Sequence, residues 1–234
     1  MPQSFRARLS VPASLLAAAA LSFTMAAVHA PPATAGALPD VAAREPGWKH
    51  YGTSDAGERD YVMYTRKPAG SAFSAYRLEA EFDAPIDIVA AAATKHMIDP
   101  ENRQRNMDKT VLERDEFGAL IHSHIYISAP FVADRDVVTR VDFLSDPASK
   151  THTLRWRATD EGPPPKSGVI RLDRSDGSWT FIAGPNGTTR AIYMSHTEIA
   201  GSLPAWILNG FMSDSMVHSI TGLRQAVERE LASR

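Results

Sequence analysis

The chain has 234 residues, a formal net charge of −2 and a hydrophobic content of 44%. That composition supports one sizeable buried core and excludes a disordered chain, and the lack of a basic excess or an aromatic-and-Arg signature excludes a nucleic-acid partner. No cysteine is present, which excludes disulfide stapling, thiolate metal sites, a thiol nucleophile and the anchored cysteine of a lipoprotein.

Residues 1–35 read as a targeting signal. Arg6 and Arg8 form a short basic region, Val11 to Met25 is apolar and alanine-rich, and Ala33-Thr34-Ala35 offers a small-x-small cleavage site before Gly36. The apolar run is short and weakly hydrophobic for a retained membrane anchor. The expected product is an exported protein, periplasmic or secreted, with a flexible leader over 36–44 and one domain over 45–231.

Trp48 to Tyr51 and Tyr61 to Arg66 read as the first two strands. Tyr76 to Phe82 alternates, with Tyr76, Leu78, Ala80 and Phe82 on one face and Arg77, Glu79 and Glu81 on the other. Asp83 is the expected N-cap of a helix with Pro85 in its first turn. Its buried stripe is Ile86, Val89, Ala90, Ala93 and Met97, and Asp99-Pro100 stops it. Glu101 to Asp108 reads as a loop or a short solvated helix.

From Val111 the chain is mostly strand: Ala119 to Ile127, Asp136 to Leu144 and Thr151 to Thr159, then a proline-rich loop over Glu161 to Lys166. Gly168 to Arg174, Ser178 to Ala183 and Thr188 to Glu198 follow as a meander, with Asp176-Gly177 and Asn186-Gly187 as the expected tight turns. The last element is a helix of about 28 residues starting behind Gly201, Ser202 and Pro204. Leu208, Met212, Met216, Ile220, Leu223, Val227 and Leu231 make one continuous apolar stripe along it, flanked by Ile207, Phe211 and Val217. The order gives an α+β fold, with a curved antiparallel sheet of about nine strands and a long C-terminal helix.

Four strings in that order carry a resemblance: Leu78-Glu-Ala-Glu-Phe-Asp-Ala-Pro85, Pro130-Phe-Val-Ala-Asp-Arg-Asp-Val137, Lys166-Ser-Gly-Val-Ile-Arg171, and Gly201 to Asn209 with Leu223-Arg224. Together they resemble the START (StAR-related lipid transfer) family of the helix-grip, Bet v 1-like superfamily, across essentially the whole domain. The resemblance implies a sheet that wraps the C-terminal helix and leaves a tunnel for one lipid. The kind of lipid differs between family members, and fold alone does not select it.

His122, His124 and Tyr126 share a strand face. They are candidates for the polar floor of a tunnel, or they are solvated residues of an outer face. His-x-His can supply two metal ligands, but no acid or third histidine is in register, so no metal is expected. Arg135 is either a polar contact at the cavity wall or a structural ion pair with Asp134 or Asp136. Arg140 lies five residues on, a spacing that reverses the strand face; some sterol-binding relatives use six. Trp156, Trp179, Phe181 and Tyr193 are strand aromatics that read first as core, with Trp156 kept as a ligand candidate. Trp206, Phe211, Met212 and Met216 on the last helix suit a site that conforms to a lipid chain, methionine being flexible and polarizable.

No G-x-S-x-G elbow, Gly-rich phosphate loop or H-E-x-x-H is present. The expected function is therefore binding of a lipid or other apolar small molecule by a monomer, without cofactor, metal or catalytic residue, and with transient membrane contact. The C-terminal helix or the loop near Gly184–Gly187 is the expected gate. Two alternatives stand beside it. One is a cyclase or hydrolase on the same superfold that recruits His122, Tyr126 and Arg140; the other is an interaction domain with a collapsed cavity.

Overall fold

The computed structural model describes residues 46–54, 61–101, 106–200 and 205–234, with side chains described in the last segment only from Ser215. The targeting signal, the leader, and Gly201, Ser202 and Pro204 lie outside the described residues.

The first three strands are β1 (Lys49–Ser54), β2 (Tyr61–Arg66) and β3 (Ala75–Phe82). Helix α1 (Ile86–Ile98) follows, then β4 (Met107–Arg114), β5 (Gly118–Ile125), β6 (Asp134–Asp146) and β7 (Thr151–Ala158). Strands β8 (Val169–Arg171), β9 (Arg174–Ala183) and β10 (Thr189–Glu198) complete the sheet, and α2 (Ala205–Ala232) ends the chain. The strands order as β1-β2-β3-β10-β9-β7-β6-β5-β4, with β8 beside β6. Nine run as antiparallel neighbours; β8 pairs parallel with the start of β6. The fold is the helix-grip α+β arrangement.

Alternation decides the inner face. Leu78 on β3 stands opposite Tyr193 on β10, which stands opposite Trp179 on β9. Leu78, Phe181, Trp179 and Tyr193 join Val89 and Ala93 of α1 and Met216, Ile220, Leu223 and Val227 of α2 in one buried cluster. Helix α1 also packs on β7 and β9. The outward face of β3 is not solvated as alternation alone suggests. Arg77 and Glu79 are 2% and 1% exposed, and Glu79 accepts hydrogen bonds from Arg77 (2.7 Å) and Arg190.

Several local expectations change. Pro85, not Asp83, occupies the cap position of α1, and its carbonyl accepts from the Ile88 and Val89 amides at 3.0 and 3.1 Å. Asp99 does close the helix, as its C-cap. Met107 and Asp108 belong to β4, the strand that raises the count from the expected nine to ten, not to the preceding loop. Asp176-Gly177 is not a turn, because both residues pair with β10 inside β9. Gly177 sits there because a Cβ would stand 2.2 Å from the Trp156 ring and 2.4 Å from the Met194 carbonyl. Asn186-Gly187 does make the β9–β10 turn, with φ of 56° and 78°. The α2 stripe is buried at Met216, Ile220, Leu223 and Val227, but Leu231 is 43% exposed where the helix runs past its partner surfaces. Among the described residues, no helix is long and apolar enough to cross a membrane.

Candidate functional site

Three apolar clusters form under the sheet, and Met97, Phe143 and Trp156 pack against the first two of them. The main one was described above. A second joins Ile98, Ala119, Ile121 and Val141, and a third joins Ile125, Val137, Leu172 and Ile199. Between them lies a hollow with two adjoining lobes of about 200 and 120 Å³.

The inner face of each strand supplies the wall. Strand β4 contributes Met107 and Lys109, β5 contributes Ile121, Ser123 and Ile125, and β6 contributes Val137 and Thr139. Strand β10 adds Tyr193, Ser195 and Thr197, and Ser215, Met216 and Ser219 close the hollow from α2. Apolar and hydroxyl side chains therefore alternate around it. No Asp or Glu lines either lobe among the described residues. Trp156 and Tyr193 border both lobes, with ring centroids 5.5 Å apart. The Tyr193 phenol is hydrogen-bonded with Ser195 and Ser219, and its burial pushes its pKa upward.

The smaller lobe is basic. Lys109 lies opposite Ser123 in the β4–β5 register, and its Nζ donates to the Met97 carbonyl at 2.8 Å, at the C-terminal end of α1. Burial pulls its ammonium down to about 8, against the attraction of Asp99. His96 of α1 and His218 of α2 line the same lobe. Burial, then the positive charge of Lys109, lowers His96 to about 4 and shifts His218 in the same direction. Helix α2 passes close here because Gly222 has no side chain; a Cβ would stand 2.5 Å from the His96 ring. Sequence reasoning missed this corner. The available signal was a lysine in the apolar alternation Met107, Lys109, Val111.

Four expected site residues face away from the hollow. His122 donates to Asp136 (Nε2 to Oδ2, 2.9 Å), and Arg171 grips the same carboxylate through Nε at 2.9 Å and its terminal nitrogen at 2.8 Å. Arg171 first, then His122, hold the Asp136 carboxyl below the usual carboxylate range. His124 bonds Asp134 at 3.1 Å, and the Tyr126 hydroxyl donates to Asp108 at 2.8 Å with Tyr126 44% exposed. Arg140 pairs with Glu113 and Glu161 at the outer surface. The physical reason is register: with Ser123 inward, His122 and His124 must point outward.

Arg135 is 2% exposed but is not among the residues that line the hollow. Asp134 and Asp136 are taken by the histidines and Arg171, so the expected ion pair is replaced by backbone carbonyls. Arg135 donates to Ala133 and, at 3.1 Å, to Ala200. Trp156 and Met216 do line the hollow. Trp206, Phe211 and Met212 lie outside the residues whose side chains are described. Gly184–Gly187 supplies no lining residue among those described. No group of three or more metal-ligating side chains occurs among the described residues.

Comparison with known proteins was informative at two levels. The family model described as START domain matches residues 33–233. A Pseudomonas aeruginosa protein described as uncharacterized is 27% identical over 167 residues, covering 71% of this chain and 82% of that one. The solved STAR-related lipid transfer protein of Xanthomonas axonopodis superposes with a TM-score of 0.65 at 20% identity, over 78% of this chain and 99% of that one. Human StAR-related lipid transfer protein 5 superposes with a TM-score of 0.64 at 17% identity, over 81% of this chain and 91% of that one. At these identities the two structures share the fold.

Proposed function

The chain belongs to the START domain family, and from that premise we propose that it binds one lipid or comparable apolar molecule in the hollow between the sheet and α2, and carries it within the cell envelope without altering it. The observation that carries this reading is the hollow itself. Three apolar clusters surround a space lined by Ile121, Ile125, Val137, Trp156 and Met216, with scattered hydroxyls for a polar end. Burying a tail contributes roughly 0.8 kcal/mol per CH₂, so ten carbons supply about 8 kcal/mol before ordering costs. Lipid-transfer proteins from Xanthomonas axonopodis and human share the fold.

The larger lobe, about 200 Å³, is below the roughly 300–1,000 Å³ typical of ligand pockets. With the smaller lobe, about 120 Å³, the space stands near the bottom of that range, and α2 is the element proposed to move as a long chain enters. Met97, Met107 and Met216 border the space and adapt to an irregular chain. The signal expected over 1–35, the lack of cysteine and the proposed cargo together support a monomeric exported carrier that touches membranes transiently. His122, Tyr126 and Arg140, the residues an acid–base mechanism would recruit, point out of the hollow, which favours binding over chemistry.

Native mass spectrometry of the full chain purified from its own host tests the reading. A co-purifying species of constant mass, released on denaturation, is expected. Protein that is consistently empty and takes up nothing from lipid vesicles would overturn it.

A further inference from the structure

Resting on the cavity reading above, we propose that the cargo is anionic: a single-chain lipid whose carboxylate or phosphate head is held by Lys109, flanked by His96 and His218, while its tail runs along Ile121, Ile125 and Val137. Lys109 borders both lobes and stands on the inner face between Met107 and Val111. Its ammonium serves the C-terminal end of α1, where a cation is favourable. An ammonium carries three donors, and one is used on the Met97 carbonyl. No carboxylate forms a salt bridge with Lys109 among the described residues, whereas Arg77 and Arg171 are paired closely with Glu79 and Asp136. A half-buried charge without a close counter-ion is costly, and a bound anion supplies such a partner.

The surroundings sort a ligand end to end. His96 and His218 enter the Lys109 corner from α1 and α2, and both have their protonated forms disfavoured by burial and by Lys109. As neutral rings each keeps one N–H. Asp99, the C-cap of α1, is the acid whose attraction reaches Lys109, and Arg229 adds positive charge beside His96. Leu172, Val137 and Ile125, which are buried and apolar, line the larger lobe and not the smaller one. A polar head at Lys109 and a tail toward Leu172 satisfy both ends at once. A neutral alcohol or ester leaves the ammonium uncompensated.

The test uses the delipidated full chain and three C16 probes: hexadecanoate, a monoacylglycerol phosphate and hexadecanol. Affinities are read by titration calorimetry, and folding of each variant is checked by urea denaturation. At least one anion is expected to bind about tenfold or more tighter than the alcohol, as a charge-assisted hydrogen bond implies. Lys109→Met should erase that gap, and Lys109→Arg should keep most of it. Preference for the carboxylate identifies a fatty acid as the source, and preference for the phosphate identifies a lysophospholipid. Equal binding of alcohol and anions, or a gap untouched by Lys109→Met, overturns the anionic assignment and leaves the cavity reading standing. Failure of all three probes to bind overturns both.

Discussion

A Cβ on Gly177 would stand 2.2 Å from the ring of Trp156 across the β7–β9 pair. The indole occupies the place that any larger residue at 177 would need, and it borders the hollow. Gly177→Ala must therefore relieve two clashes, with the ring and with the Met194 carbonyl, 2.4 Å from the added atom. The expected loss is about 1–3 kcal/mol in urea denaturation, as for other overpacked sites. A change below about 0.5 kcal/mol would show that the sheet opens freely at this point.

The outer carboxylate of Asp136 predicts an acid-sensitive clasp. Its folded pKa lies below the unfolded value of 3.8, so its contribution is complete above that value and is lost as pH falls through the folded value. Asp136→Asn removes the carboxylate charge and one of the two acceptor oxygens that Arg171 and His122 share, at a cost of about 3 kcal/mol at neutral pH. The gap between wild type and variant should narrow below about pH 4. A constant gap from pH 7 to pH 3 would contradict the clasp.

His96 works in the opposite sense. Its folded value is near 4 against 6.5 for the free side chain. Between those values the unfolded chain binds the extra proton, so stability rises with pH over that window. His96→Gln should flatten the acid limb of the stability curve between pH 4 and 6.5, by at most about 3 kcal/mol. Parallel curves for the two proteins would refute the shift.

The two faces of β5 and β6 are separable by mutation. Val137→Phe extends a side chain into the hollow and should reduce lipid occupancy in native mass spectra by about tenfold. His124→Ala, one face over, should leave occupancy unchanged. Equal effects of the two would mean that the hollow is not the binding site.

Motion of α2 can be tested at its far end, where Lys95 of α1 meets Glu230 at 2.5 Å. The chain has no cysteine, so a Lys95→Cys, Glu230→Cys pair bridged by a bismaleimide is the sole reactive site. Bridging should slow lipid exchange with vesicles about tenfold or more. Unchanged kinetics would remove α2 as the moving element.

Much of this architecture was readable before any coordinates. Tyr61 to Arg66 matches β2 residue for residue, and the 28-residue length of α2 follows from its apolar spacing. Alternation correctly grouped His122 with His124, yet grouping is symmetric: it does not say which group faces in. Inward placement depends on Ile121 clustering with Ile98 of α1, and Ile125 with Leu172 and Ile199, contacts between segments far apart in the chain. Asp176-Gly177 misled because glycine serves turns and close approaches alike. Lys109 escaped notice because one lysine in a strand ordinarily faces solvent, and its burial depends on α1 and α2 arriving over it.

The lining positions of β4, β5, β6, β9 and β10 are all odd-numbered, and their outer partners are even-numbered. Loss or gain of a single residue within β5 would turn that part of the wall inside out, exposing Ile121 and bringing His122 and His124 into the lumen. Ligand preference in such a sheet can drift by exchange of one side chain for another, while changes in length are confined to the connecting turns. A frame so intolerant of insertion is well suited to redesign, since each inward position can be replaced without disturbing its neighbours' orientation.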